Sequence, residues 1–325
     1  MWRMPLKLLC AILLSSQSIC AQTNQLTEAE ALTAITLATN PTTKLAAAED
    51  FVNRFPKSSS RIKAAELVAA EILKVQNGAV AITLVERAQG IFTTDEEREI
   101  LKPVALEAYA TGNRTNDAFK LAAELLAKNP DDLYVLVQMT RAGAEEVRKR
   151  NREHAAVALQ YGLKAITMVE AAGTKRSRLS DELSTDEPVG DLGQLYQQTA
   201  ILYLGMGNTD DAKAQLTKAT AARPDDPSNF ALLGRVVHAD YVRQNDAYEK
   251  MTDVKEKQET LKKLDAQLDT IIDAYARAAG LAMGRQEYQP LMQQVIPDLT
   301  NYYKYRNNQS TKGLQQLINK YRVAR

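Results

Sequence analysis

The chain has 325 residues, 45% of them apolar but only 6% aromatic, and its 41 basic and 40 acidic side chains leave a formal charge of +1. Its apolar set is rich in Ala and Leu and poor in the Val, Ile and Thr runs that strands need, so an all-helical fold with a large core is expected. Fourteen glycines are too few for a loop-rich sandwich or a nucleotide-binding α/β fold, and the charge balance gives no general pull toward nucleic acid or anionic membrane.

Residues 1–20 read as an export signal. Arg3 and Lys7 give the positive start, Leu8 to Leu14 the short apolar centre, and Ser18-Ile19-Cys20 a small-x-small pattern before Ala21. The apolar centre is about a third of the ~20 residues that span a bilayer, so no transmembrane helix is expected in the mature chain. Both cysteines, Cys10 and Cys20, lie in this leader. Cleavage near Cys20 or Ala21 would leave no disulfide, thiolate metal site or cysteine nucleophile. It would also leave 39 basic against 40 acidic residues, a net charge of −1. A lipid anchor on Cys20 is the alternative, against which bulky Ile19 stands beside the expected cut.

A first helix is expected over 27–40, with Thr27 as N-cap and Glu30 completing a capping box, and Pro41 as its stop. A second over 42–55 ends in FVNRFPKS, which resembles helix closures in exported bacterial repeat proteins. Periodicity alone predicts a hairpin of 62–75 and 79–91, joined at Asn77-Gly78 by a left-handed glycine.

Residues 97–130 repeat a pattern seen again at 194–227. In the first, Tyr109, Ala118 and Pro130 are separated by nine and twelve residues, and Tyr203, Ala212 and Pro224 stand at the same intervals in the second. The second stretch, QLYQQTAILYLGMGNTDDAKAQLTKATAARPDDP, also places Tyr196, Thr199 and Ala200 at helical spacing before a turn at Gly207-Asn208, with Leu216 and Ala219 on the following helix. Alanine at a helix crossing lets two axes come within ~8–10 Å. These residues resemble the tetratricopeptide repeat. The resemblance implies a right-handed superhelical solenoid of antiparallel helix pairs, a concave groove that binds peptides or proteins, and no reaction chemistry.

Between the two copies a hairpin is expected over 132–172. Its first helix carries Leu136, Met139 and Gly143 and continues into the charged run 145–153, and its second carries Ala158, Gly162 and Ala165. The Pro130-to-Pro224 spacing is 94 residues, about 26 beyond two ~34-residue repeats. That surplus is assigned mostly to 173–190, GTKRSRLSDELSTDEPVG, as a flexible charged loop.

The pattern restarts at Pro227 with Phe230, Leu233, Gly234 and Val237. A charged helical insertion, 244–263, then displaces the partner helix. Val254, Leu261, Leu268 and Tyr275 are spaced by sevens, with Leu264, Ile271 and Ala278 between, so 253–281 reads as one long helix interrupted at Lys257. Its seam packs on the preceding helix or, alternatively, on another chain. Residues 299–325 hold no acidic side chain, and Tyr302, Tyr303, Tyr305 and Tyr321 are interleaved with Lys304, Arg306, Lys312, Lys320, Arg322 and Arg325. Such a mixture suits nucleic acid, but in an exported, neutral chain it reads better as capping helices over 285–325, with Leu291, Val295, Leu299, Leu314 and Ile318 facing inward.

His154 and His238 are 84 residues apart and show no ligand spacing, so neither metal nor cofactor is implied. The acid pairs Glu96-Glu97, Asp210-Asp211 and Asp225-Asp226 suit helix starts. The expectation is an all-α solenoid of about six or seven hairpins, organised as 1–20, 21–172, 173–190, 191–284 and 285–325. It would be periplasmic or secreted, non-catalytic, without a nucleic-acid partner, and would bind a protein or peptide. Helical phase places Arg141, Glu145, Gln194, Gln197, Ile201, Arg235 and His238 on the groove. An outer-membrane-tethered assembly factor and a helical enzyme with a dispersed site are the competing readings.

Overall fold

The structure, a computed structural model, describes residues 26–172 and 191–322. The leader with its cleavage site, Cys10 and Cys20, the 173–190 segment and Arg325 lie outside the described residues.

Nine of the α-helices described begin where a side chain satisfies amides that the first turn leaves free. The Thr27 hydroxyl caps α1 (Glu28–Leu37) and Glu30 reaches back to the Thr27 amide at 2.8 Å, completing the expected box. Asn40 caps α2 (Pro41–Arg54). Pro41 therefore opens the second helix as its first residue, rather than serving only to stop the first; its fixed φ and missing N–H suit that position. After α3 (Arg61–Ile72), Asn77 caps α4 (Gly78–Ile91). Gly78 is thus a helix start and not a left-handed helix end. A Cβ there would lie 2.5 Å from the Gly112 amide nitrogen, so close backbone approach selects glycine. The left-handed conformation occurs instead at Gly207, φ +81°, in the turn expected there.

A second capping box, Thr94 with Glu97, starts α5 (Asp95–Thr111), and α6 (Thr115–Lys128) ends just before Pro130. Asp132 caps α7 (Leu133–Arg148), which is followed by α8 (Ala155–Ala172). As expected, α7 continues into the charged 145–153 run, and it ends there at Arg148. Its apolar stripe ends at Val147 and no apolar side chain follows until Ala155, so nothing packs a further turn, and Arg150 leaves the helix at φ +67°. Asp191 and Asn208 cap α9 (Leu192–Gly205) and α10 (Thr209–Ala222). Asp226 caps α11 (Pro227–Glu249), and Asp253 caps the 29-residue α12 (Val254–Ala282). Segment 244–263 is the last turns of α11, the bend and the first turns of α12. A 3-10 turn, Gln286–Tyr288, leads into α13 (Gln289–Arg306) and α14 (Leu314–Lys320).

Among the described residues the fold is an all-α solenoid with no strand. Through α12, helices pair in sequence order, each pair antiparallel, and the even helix of one pair packs on the odd helix of the next. Small residues set the spacing. Ala118, Ala158, Ala200, Ala212 and Ala219 are fully buried. A Cβ on Gly143 would lie 2.3 Å from that of Ala158, and one on Gly162 would lie between Thr199 and Thr140 at 2.6 and 2.8 Å. At Gly234 the Tyr275 ring fills the place where a Cβ would stand.

The long-helix seam packs on α11 from Leu264 onward, with Leu268, Ile271, Tyr275 and Ala278 at most 1% exposed. Its first members remain in solvent, Val254 at 71% and Leu261 at 45% exposed. Lys257, the interruption, sits over the Tyr248 ring at 5.0 Å. Helices α13 and α14 both pack on α12, and Val295, Leu299, Leu314 and Ile318 join its core as expected of capping helices.

Candidate functional site: the face of the odd-numbered helices

The residues placed on the groove by helical phase sit on α7, α9 and α11, and several of them contact polar or aromatic side chains of neighbouring odd helices. On α5, Glu107 accepts a hydrogen bond from the Arg141 guanidinium at 2.6 Å and one from the Tyr134 hydroxyl at 3.4 Å, both from α7. Burial, with Glu107 beside it, holds the Tyr134 hydroxyl protonated well above its ordinary range. One turn on, exposed Glu145 pairs with Arg148, which also reaches the Gln197 side chain of α9 at 3.5 Å. Gln197 then donates to Asn229 of α11 at 2.6 Å. Asn229 is completely buried and donates in turn to the Ala219 carbonyl at 3.3 Å, so its amide is fixed from both sides.

Arg235 and His238 stand about 120° and 180° round α11 from Asn229. Arg235 is exposed, and half-buried His238 meets the Tyr302 ring of α13 edge-on at 5.3 Å. Burial, with Asp298 and Tyr241 nearby, pushes the Tyr302 hydroxyl up to about 12. Beneath, Tyr275 is 1% exposed and its hydroxyl is likewise raised, by burial first and by Asp298 and Tyr302 next, while Arg235 pulls the other way. Gln194 is exposed at the start of α9, where its amide is held by the Asp191 cap at 3.1 Å.

Ile201 does not belong to this face. It is 5% exposed and packs in the central core with Leu202, Phe119 and Met139. Its phase on α9 points toward the groove, but Gly143 and Gly162 let α7 and α8 close so tightly on α9 that the position is covered. Five contributors are not among the residues that helical phase selects: Glu107, Tyr134, Arg148, Asn229 and Tyr302. A signal for Glu107 was present, since it stands two residues before Tyr109 as Arg235 stands two before Val237.

The repeat-marking residues hold the platform. Arg114 lies over the Tyr109 ring at 4.5 Å. The Tyr196 hydroxyl donates to Glu170 at 2.5 Å beneath Lys218, and burial together with that carboxylate raises it to about 12. Leu216 is fully buried, Phe230 carries Arg277 on its ring at 5.6 Å, and the Pro130 carbonyl accepts from Lys164 at 2.6 Å. Pro224 follows the Arg223 C-cap of α10.

The acid pairs do sit at helix starts, but Glu97 does more. It is 1% exposed and receives Arg61 of α3 in a two-point ion pair at 2.6 and 3.0 Å. His154 stacks on Phe119 at 4.2 Å. Among the described residues no group of three or more His, Cys, Asp or Glu could hold a metal ion, and no helix is long and apolar enough to cross a membrane.

The arrangement offers polar side chains fixed by contacts between α5, α7, α9 and α11, with a separate ring contact between α11 and α13. No protein-family model matches the sequence, and a comparison with curated proteins gives no match. Among solved structures the chain is similar to a monomeric mutant of IFIT1 with m7Gppp-AAAA, at 15% identity and a TM-score of 0.44, over 86% of this chain and 55% of that one. The chain thus spans about half the length of that neighbour, and a likeness this loose says nothing of ligand or partner.

Proposed function

We propose that the chain is a non-catalytic, tetratricopeptide-like scaffold of the bacterial cell envelope, exported by its leader, that binds a peptide or partner protein along the odd-helix face. The observation that carries this reading is the division of labour among its side chains. Small and apolar residues are consumed in packing, while exposed or half-buried polar groups of the odd helices, Arg141, Glu145, Arg148 and Gln197, are held by contacts with Glu107 and with one another, and Arg235 and His238 stand further along on α11. Such fixed donors and acceptors match the backbone and side chains of an extended polypeptide, and their fixation lowers the ordering cost of binding.

The test is a crosslinking pull-down from envelope extracts with the mature chain and its Arg235→Glu variant. Arg235 is exposed, so the variant should melt with the parent and lose most of the captured partner. Equal capture by the variant removes Arg235 from the site. Retention of a glycan or small molecule, with no polypeptide, overturns the scaffold reading.

A further inference from the structure

A second surface lies on the opposite side of α5. At 100° per residue, Arg98, Lys102 and Tyr109 fall within about 40° of one another and about 140–180° from Glu107, so they look away from the odd-helix face. Asp117, Lys120, Leu121 and Glu124 of α6, at i, i+3, i+4 and i+7, form the facing wall, and Gln89 of α4 forms the other. Together they line an open cleft of about 430 Å³, within the ~300–1,000 Å³ range of ligand sites. The cleft exists because α4 and α6 do not pack closely on each other, whereas α2 and α4 do. Arg114 closes one end by bonding Glu86 of α4 and Asp117 of α6, each at 2.5 Å, and Lys128 with Lys102 clamps Glu99 near the other.

The lining carries four cations, Arg98, Lys102, Arg114 and Lys120, against two carboxylates. Lys102 and Arg114 are already paired. The side chains of exposed Arg98 and Lys120 have no ion pair or hydrogen bond among the described residues and are available to a ligand. Asp117 and Glu124, set among them, oppose a phosphate backbone but can accept peptide N–H groups, while Tyr109 and Leu121 give apolar contact. We infer that the α4–α5–α6 cleft binds an acidic polypeptide segment, with Arg98 and Lys120 receiving its carboxylates and Tyr109 and Leu121 an interspersed apolar side chain. This does not rest on the odd-helix reading, because the two surfaces share no residue.

The experiment measures fluorescence anisotropy of a labelled peptide of alternating glutamate and leucine with the full mature chain, its Arg98→Glu/Lys120→Glu variant and a Lys57→Glu variant, whose exposed side chain lies on neither surface. Expected are saturable binding by the parent, an affinity loss of at least tenfold in the double variant, no change in Lys57→Glu, and weakening with salt. Both replaced side chains are exposed and unpaired, so the variant's melting curve should overlie the parent's. No saturable binding, equal affinity in the double variant, equal binding of the glutamine-for-glutamate peptide, or preference for oligothymidylate over the peptide each overturns the inference.

Discussion

Replacing Gly143 by alanine tests whether helix spacing in this solenoid is set by missing side chains. The added Cβ would lie 2.3 Å from the Ala158 Cβ, and Leu202 and Phe119 stand behind at 3.4 and 3.6 Å. A normal carbon contact needs at least ~3.5 Å, so α7 and α8 must separate by roughly 1.2 Å or twist. Neither methyl can rotate away, because each is fixed to a helix backbone, which places the cost near the upper end of overpacking, ~3 kcal/mol. Better helix propensity returns ~1 kcal/mol, leaving a net loss of about 2 kcal/mol. The same substitution at Gly90, whose Cβ would meet nothing within 4 Å, keeps only the propensity and should gain about 0.5 kcal/mol. Urea titration by far-UV circular dichroism measures both, and hydrogen exchange should localise the loss to α7 and α8, because stacked repeats couple mainly to neighbours. Ala158→Gly should destabilise the parent and stabilise Gly143→Ala, a positive coupling in the double-mutant cycle. A Gly143→Ala protein as stable as the parent would refute the close-contact argument.

Three further outcomes are expected. Ala212→Leu puts a bulky side chain into a fully buried crossing and should cost ~1–3 kcal/mol in the same titration; parent-like melting counts against the crossing. Glu97→Gln removes the charge from a pair in which Arg61 is only 11% exposed and should cost about 3 kcal/mol, read by thermal melting. The pair also sets a pH dependence. Burial pushes the Glu97 carboxyl up, but hydrogen bonds from Arg61 and Thr94 outweigh it and hold the group below its ordinary value. Its contribution is therefore complete above the unfolded value of about 4.3 and is lost as pH falls through the lower folded value. Stability of Glu97→Gln should fall less steeply over that interval, and identical slopes would exclude Glu97 as a source of acid sensitivity.

The sequence by itself determined the fold class and much of the helix phase. Period-3.6 apolar spacing, the Thr27 capping box, the acid pair Asp225-Asp226 at a helix start, and the repeated tyrosine–alanine–proline intervals depend on local chemistry and survive any tertiary arrangement. Even the 29-residue α12 was visible, because a seven-residue spacing persists along it. That Arg141 and Glu145 share one side of α7 followed from that phase. Burial could not, because it depends on how closely a neighbouring helix approaches. Ile201 has groove phase yet is covered by α7 and α8, and Gly78 reads as a helix end until Gly112 is brought against it. The Arg61–Glu97 and Gln197–Asn229 contacts join residues 36 and 32 positions apart. The α4–α5–α6 cleft arises from a gap between two helices that each look ordinary alone. Local pattern fixes which way a side chain points along its own helix, and only the packing of helices decides what it meets there.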